Sequence, residues 1–162
     1  MAEDNGYAYV VSGCADETFI IYIIDIDPVD DAYVVNSLAL GGGYISGIKA
    51  DSGYVYLTLS GLMNGKLAII DVDPPETAYV VKVKGVDGGW SHAGAGNLFV
   101  ENGYAYIPNN SIGLVIYDVD PPELLHRISK VALPDYGIEV EVKGDYAYVA
   151  NENGGLRIIK LW

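Results

Sequence analysis

The chain has 162 residues, about half of them apolar, with 14 tyrosines and few charges: 9 Lys and Arg against 22 Asp and Glu, a formal net charge of -13. That is enough chain for one domain with its own core, and the composition excludes disorder. So acidic a chain lacks the basic face that nucleic-acid binders use to displace counterions from phosphates, which sets that partner class aside. Cys14 is the only cysteine, so no intrachain disulfide is available and the residue reads as a turn position in the loop SGCADET. Met1 to Gly6 holds no basic segment followed by an apolar stretch, and no apolar run is long enough to span a bilayer. The chain as given therefore reads as carrying neither a membrane span nor a signal peptide.

In chain order, one two-part phrase occurs four times. A Tyr-x-Tyr strand is followed by an aliphatic run that ends in Asp or, the last time, in Lys. The pairs are Tyr7 and Tyr9, Tyr54 and Tyr56, Tyr104 and Tyr106, and Tyr146 and Tyr148, spaced 47, 50 and 42 residues apart. The aliphatic runs are YIIDIDP to Pro28, AIIDVDPP to Pro75, VIYDVDPP to Pro122, and RIIKLW to Trp162. A period in the forties with several short strands per unit marks a β-propeller, whose blades bury a core only by stacking on one another.

The second unit predicts four strands: Tyr44 to Ala50, Tyr54 to Leu59, Lys66 to Val72 and Tyr79 to Lys84. Turn residues separate them (Asp51-Ser52-Gly53, Ser60-Gly61, Asn64-Gly65, Asp73-Pro74-Pro75), and no apolar pattern recurs at helical spacing. The expected fold is all-β: a propeller-type repeat of four-stranded antiparallel blades, about three and a half to four per chain. It forms a single domain with units at about 1–42, 43–86, 95–132 and 135–162. Met1 to Gly6 is short and polar, so the first unit is expected to open on its second strand. The last is expected to close on its third, Leu156 to Leu161. Strand counts of three, four, four and three leave open sheet edges, which are a liability unless paired or covered. This predicts a chain that completes itself with other copies, as a ring or a filament, although a closed four-bladed ring and truncation from a longer parent also fit.

Alternation places both tyrosines of a pair on one face of the strand, with Ala8, Val55, Ala105 or Ala147 on the other. Large against small suits interdigitating blades, so the eight tyrosines are read as inter-blade packing, with a sugar platform as the minor reading. The pairs Asp25 and Asp27, Asp71 and Asp73, and Asp118 and Asp120 recur at strand ends before Pro. Paired carboxylates suit Ca²⁺, but an Asp before Pro also accepts hydrogen bonds from turn amides, and no denser ligand loop accompanies the pairs. The segment GVDGGWSHAGAGN, Gly85 to Asn97, interrupts the repeat and brings Trp90, Ser91 and His92 to a Gly-rich loop. It reads as an ordered insertion or a subunit contact. Ser91 and His92 with no third partner make no triad, and His126 adds no zinc set. No catalytic residue stands out.

The phrases GDYAYVANENGGLRII (Gly144 to Ile159) and GLVIYDVDPP (Gly113 to Pro122) resemble the LVIVD-repeat family of β-propellers. Here DVDPP or DIDP replaces that family's usual Asp-Val-Ser-Asp-Pro. The resemblance implies the fold and a cell-surface or extracellular setting, and it carries over no catalytic residue because the motif is structural. The function expected is a non-enzymatic structural or protein-interaction module that binds copies of itself. The alternatives are a propeller that binds a carbohydrate or Ca²⁺ at its rim, and an enzyme acting in a propeller channel. No other cofactor is expected.

Overall fold

The computed structural model describes residues 1–13, 18–41, 44–60, 65–86, 97–109 and 112–162. Cys14, Trp90, Ser91 and His92 lie outside them. Among the described residues fifteen strands form four antiparallel sheets, each made of sequential neighbours. Blade one is β1 (Ala2–Asp4), β2 (Tyr7–Ser12), β3 (Phe19–Asp25) and β4 (Tyr33–Leu40). Blade two is β5 (Tyr44–Asp51), β6 (Tyr54–Ser60), β7 (Gly65–Asp71) and β8 (Tyr79–Val86). Blade three is β9 (Phe99–Glu101), β10 (Tyr104–Asn109), β11 (Gly113–Asp118) and β12 (His126–Val131). Blade four has only β13 (Gly137–Lys143), β14 (Tyr146–Asn151) and β15 (Gly155–Lys160).

The first blade corrects an expectation. Its residues 2–4 do form a strand, registering Ala2 with Tyr9, Glu3 with Ala8 and Asp4 with Tyr7. Backbone pairing to β2 outweighs the poor strand preference of Glu and Asp. The last blade alone is short of a strand.

Local sequence explains each blade's shape. Strands one and two are joined at Asn5-Gly6, Ser52-Gly53 and Asn102-Gly103, both residues of each pair having positive φ. That is the two-residue hairpin turn whose twist matches the flanking strands. Strands three and four are joined by a cis Asp-Pro bond (Asp27-Pro28, Asp73-Pro74, Asp120-Pro121) and a three-residue 3₁₀ turn. A bulge recurs at one place in every third–fourth strand pair, between Ile23 and Ile24, Ile69 and Ile70, and Ile116 and Tyr117.

The core lies between the sheets, in three layers. Tyr9, Ile21 and Ile23 of blade one meet Val55, Leu57, Ala68 and Ile70 of blade two. Tyr56, Leu67 and Ile69 of blade two meet Ala105, Ile107, Val115 and Tyr117 of blade three. Tyr106, Leu114 and Ile116 of blade three meet Val140, Val142, Ala147 and Val149 of blade four. Blades two and three thus pack their front face onto the next blade and their back face onto the one before, whereas blade one packs only by its front and blade four only by its back. Outer-rim hydrogen bonds support the layers: Asn36 Nδ2 donates to the Pro75 carbonyl (3.0 Å), and Lys84 Nζ to the Leu125 carbonyl (3.1 Å). The link into blade four is pinned by Asp135. Its carboxylate accepts from the Tyr136 amide (2.8 Å) and from Asn153 Nδ2 (3.0 Å), which holds it below its ordinary range.

Candidate functional site

The tyrosine pairs fall where the layers need them. Tyr9, Tyr56 and Tyr106 are buried, 3–4% exposed, each on the front face of its blade. Tyr7, Tyr54 and Tyr104 stand one position toward the rim, half-buried against the same layers. Tyr104 meets the Trp162 ring at 5.6 Å, so the chain end closes over the blade three–four layer. Tyr146 and Tyr148 occupy the same register on blade four but have no following blade.

Burial governs the phenols. Desolvation, with smaller contributions from nearby acids, pushes Tyr9 up to about 12, and desolvation followed by Asp51 and Glu101 raises Tyr56 and Tyr106 respectively. An unfolded phenol ionises near 10.0, whereas folded Tyr9 keeps its proton to about 12. The stability these rings supply is therefore complete below pH 10 and falls as the pH rises through 12. The urea midpoint is expected to drop across that window, and Tyr9→Phe to flatten the drop. An unchanged slope in the variant would show that Tyr9 is not among the groups responsible.

The Asp-x-Asp pairs cap turns. Asp25 Oδ1 accepts from the Asp27 amide at 2.9 Å, Asp71 Oδ1 from the Asp73 amide at 3.0 Å, and Asp118 Oδ1 from the Asp120 amide at 3.1 Å. A Cβ added at the hairpin glycine, Gly6, Gly53 or Gly103, would come within 3.0–3.4 Å of the Cβ of the second Asp of each pair. Among the described residues no three His, Cys, Asp or Glu side chains come close enough together to hold a metal. Asp71→Ala is expected to cost about 1 kcal/mol, the usual worth of one such bond. Millimolar Ca²⁺ is expected to leave the wild-type melting temperature unchanged; a clear rise would return the pairs to the role of ligands.

His126 begins β12, its Nδ1 lying 3.1 Å from the Leu124 carbonyl, and no second histidine is described near it. Asn97 donates its amide to the Ile138 carbonyl (3.0 Å), which ties that residue to the inner strand of blade four.

The most distinctive surface is the front of blade four. Leu114 and Ile116 are 0% and 2% exposed on blade three, whereas Leu156 and Ile158, at the same register on blade four, are 64% and 60% exposed. At the other end, the back of blade one shows Val10, Ile20, Tyr22 and Ile24 only half-buried, while Leu57, Ala68 and Ile70 on the back of blade two are covered. The repeat therefore ends in two unlike apolar faces, each of the kind that the other covers elsewhere in the chain. The exposed aliphatics of β15, Leu156 and Ile158, sit in LRIIKLW, so the signal was in the sequence. It was missed because a strand's exposure depends on which blade follows it.

The fold is of the β-propeller type, and its structural neighbours are propeller-like. A computationally designed protein, Ika4, superposes with a TM-score of 0.71 at 11% identity over 99% of this chain and 89% of its own. A chain of a nidogen/laminin complex gives 0.62 at 14% identity, over 89% of this chain and 55% of that one. The glutaminyl cyclase of Myxococcus xanthus gives 0.54 at 14% identity, over 87% and 56%. This chain thus spans about half the length of the last two, and at such identities the likeness is one of fold. No curated protein matches the sequence. No helix among the described residues is long and apolar enough to cross a membrane. Residues 94–123 and 136–160 match a family model described as the LVIVD repeat.

Proposed function

We propose that this chain is a non-enzymatic structural and interaction module that binds copies of itself, the front of blade four on one chain packing onto the back of blade one on the next. The observation that carries this reading is the exposure of Leu156 and Ile158 at a register that is buried in every other blade. Fully burying a Leu or Ile side chain is worth about 1.5–3 kcal/mol, and the interior layers already provide the matching geometry.

The contact is heterologous, since two different faces meet, so it either closes into a ring or propagates. Propellers range from about four to eight blades, and two copies of four blades reach the upper end of that range. A two-chain ring is the smallest closed product, and a filament results if the rotation per chain does not close.

Association with the folded state links stability to mass action. The melting temperature is expected to rise with protein concentration, and a melting temperature independent of concentration would count against the reading.

A further inference from the structure

Among the described residues no strand pairs with the outer edge of β15, and the place that a fourth strand takes in the other blades is open. A groove of about 430 Å³ runs beside β15, lined by Ala132, Leu133 and Pro134 of the incoming link and by Arg157, Ile158 and Ile159. The corresponding groove on blade two, where Val80 and Val83 of the fourth strand form one wall, is about 200 Å³. Gly155 tells the same story from the backbone. A Cβ placed there meets nothing within 4 Å, whereas at Gly113, its counterpart on blade three, it would lie 2.1 Å from the Val131 carbonyl oxygen of the fourth strand. The outer edge of β15 is thus an unpaired row of backbone donors and acceptors, the usual template for strand addition.

The side chains of this edge differ from those of the filled blades. The third strands β3, β7 and β11 end in Asp25, Asp71 and Asp118, which register with Tyr33, Tyr79 and His126 of the fourth strand. In β15 that position is Lys160. Three residues earlier, Tyr22, Ala68 and Val115 face Ser37, Val83 and Lys130. There β15 carries Arg157. Both cations are exposed, on a chain of net charge -13. Directly opposed charges across an antiparallel pair stabilise it when unlike and destabilise it when alike. Where the filled blades set Asp and neutral residues opposite neutral or basic ones, β15 thus sets two cations, which selects an acidic strand.

We propose that β15 binds an extended acidic segment of a partner protein as the missing fourth strand of blade four, antiparallel to β15. The segment has a carboxylate at its first position, opposite Lys160, and another at its fifth, opposite Arg157. Its eighth position is apolar, as Leu40 and Val86 are at the buried ends of β4 and β8. The outer edge stays open in a single chain and in a two-chain ring alike, so this binding does not depend on ring closure.

The test uses labelled eight-residue peptides of the Tyr33–Leu40 sequence and the intact protein, read by fluorescence anisotropy. One peptide carries Y33E and S37D, a second carries Y33K and S37K, and a third is the acidic peptide with alternate backbone amides methylated. The acidic peptide is expected to bind at least about tenfold more tightly than the lysine peptide, from two reversed cross-strand charge pairs. Methylation is expected to abolish binding, and Arg157→Glu to narrow or invert the preference. Hydrogen exchange should show the β15 amides protected by the acidic peptide. Equal affinity for both peptides, no binding of either, or undiminished binding of the methylated peptide would each overturn the proposal.

Discussion

Ile158→Glu is expected to leave the single chain folded and to abolish its association with other copies. Ile158 is 60% exposed in the isolated chain, so a carboxylate there stays in water and costs little. In the proposed assembly the same position would lie in an apolar layer equivalent to the one around Ile116, which is 2% exposed. An unpaired charge buried there costs several kcal/mol, and each 1.4 kcal/mol is a factor of ten in affinity. Self-association should therefore weaken by about a hundredfold or more, with circular dichroism and the dilute-solution melting temperature nearly unchanged. Ile116→Glu makes the contrast, because there the layer lies within the chain and the variant should fail to fold. The pair can be compared by sedimentation and thermal melting. A variant at 158 that assembles as well as wild type would remove the front of blade four from the interface.

Gly113→Ala is expected to be among the most destabilising single substitutions, and Gly155→Ala much milder, although the two glycines occupy the same place in successive blades. Both have positive φ, +94° at Gly113 and +66° at Gly155, where ψ is -149°, so either alanine carries a backbone cost of about 1–3 kcal/mol. Only at Gly113 does the new methyl also run into backbone: the Val131 carbonyl oxygen at 2.1 Å, then Ala132 Cα and Leu133 N, both at 2.9 Å. Those atoms belong to the end of the fourth strand and the link after it. They cannot move without breaking the β11–β12 ladder or disturbing Leu133, which packs on the blade three–four layer. The loss at Gly113 should exceed about 3 kcal/mol by urea denaturation, with Gly155→Ala near the backbone cost alone. Similar losses at both sites would mean that the space beside Gly155 is filled.

The repeat was legible in the sequence because its signals are local. Asn-Gly and Ser-Gly turns fix hairpins, Asp-Pro ends a ladder, and alternation assigns each Tyr-x-Tyr pair to one face. The strand at Ala2–Asp4 was not legible, since its residues have poor strand preference and are held by pairing with Tyr7–Tyr9. The roles of the aspartates were half legible. Spacing showed that Asp71 and Asp73 recur as a pair, but only the coordinates show Asp71 Oδ1 accepting from the Asp73 amide. The open surfaces were least legible, because Ile116 and Ile158 look alike in sequence and differ only in what lies beyond them. Arg157 and Lys160 were in view throughout, and their opposition to a missing strand emerged only from the register of the three blades that have one.

Self-association, as proposed, joins the two unlike end faces of this arc between chains. The most direct measurement is the mass of the purified wild-type chain in solution, by light scattering behind a sizing column across a range of concentrations. The account predicts twice the 17.4 kDa of one chain for a closed ring, or a broad, much heavier distribution for a filament. A single species at 17.4 kDa at every concentration would contradict it.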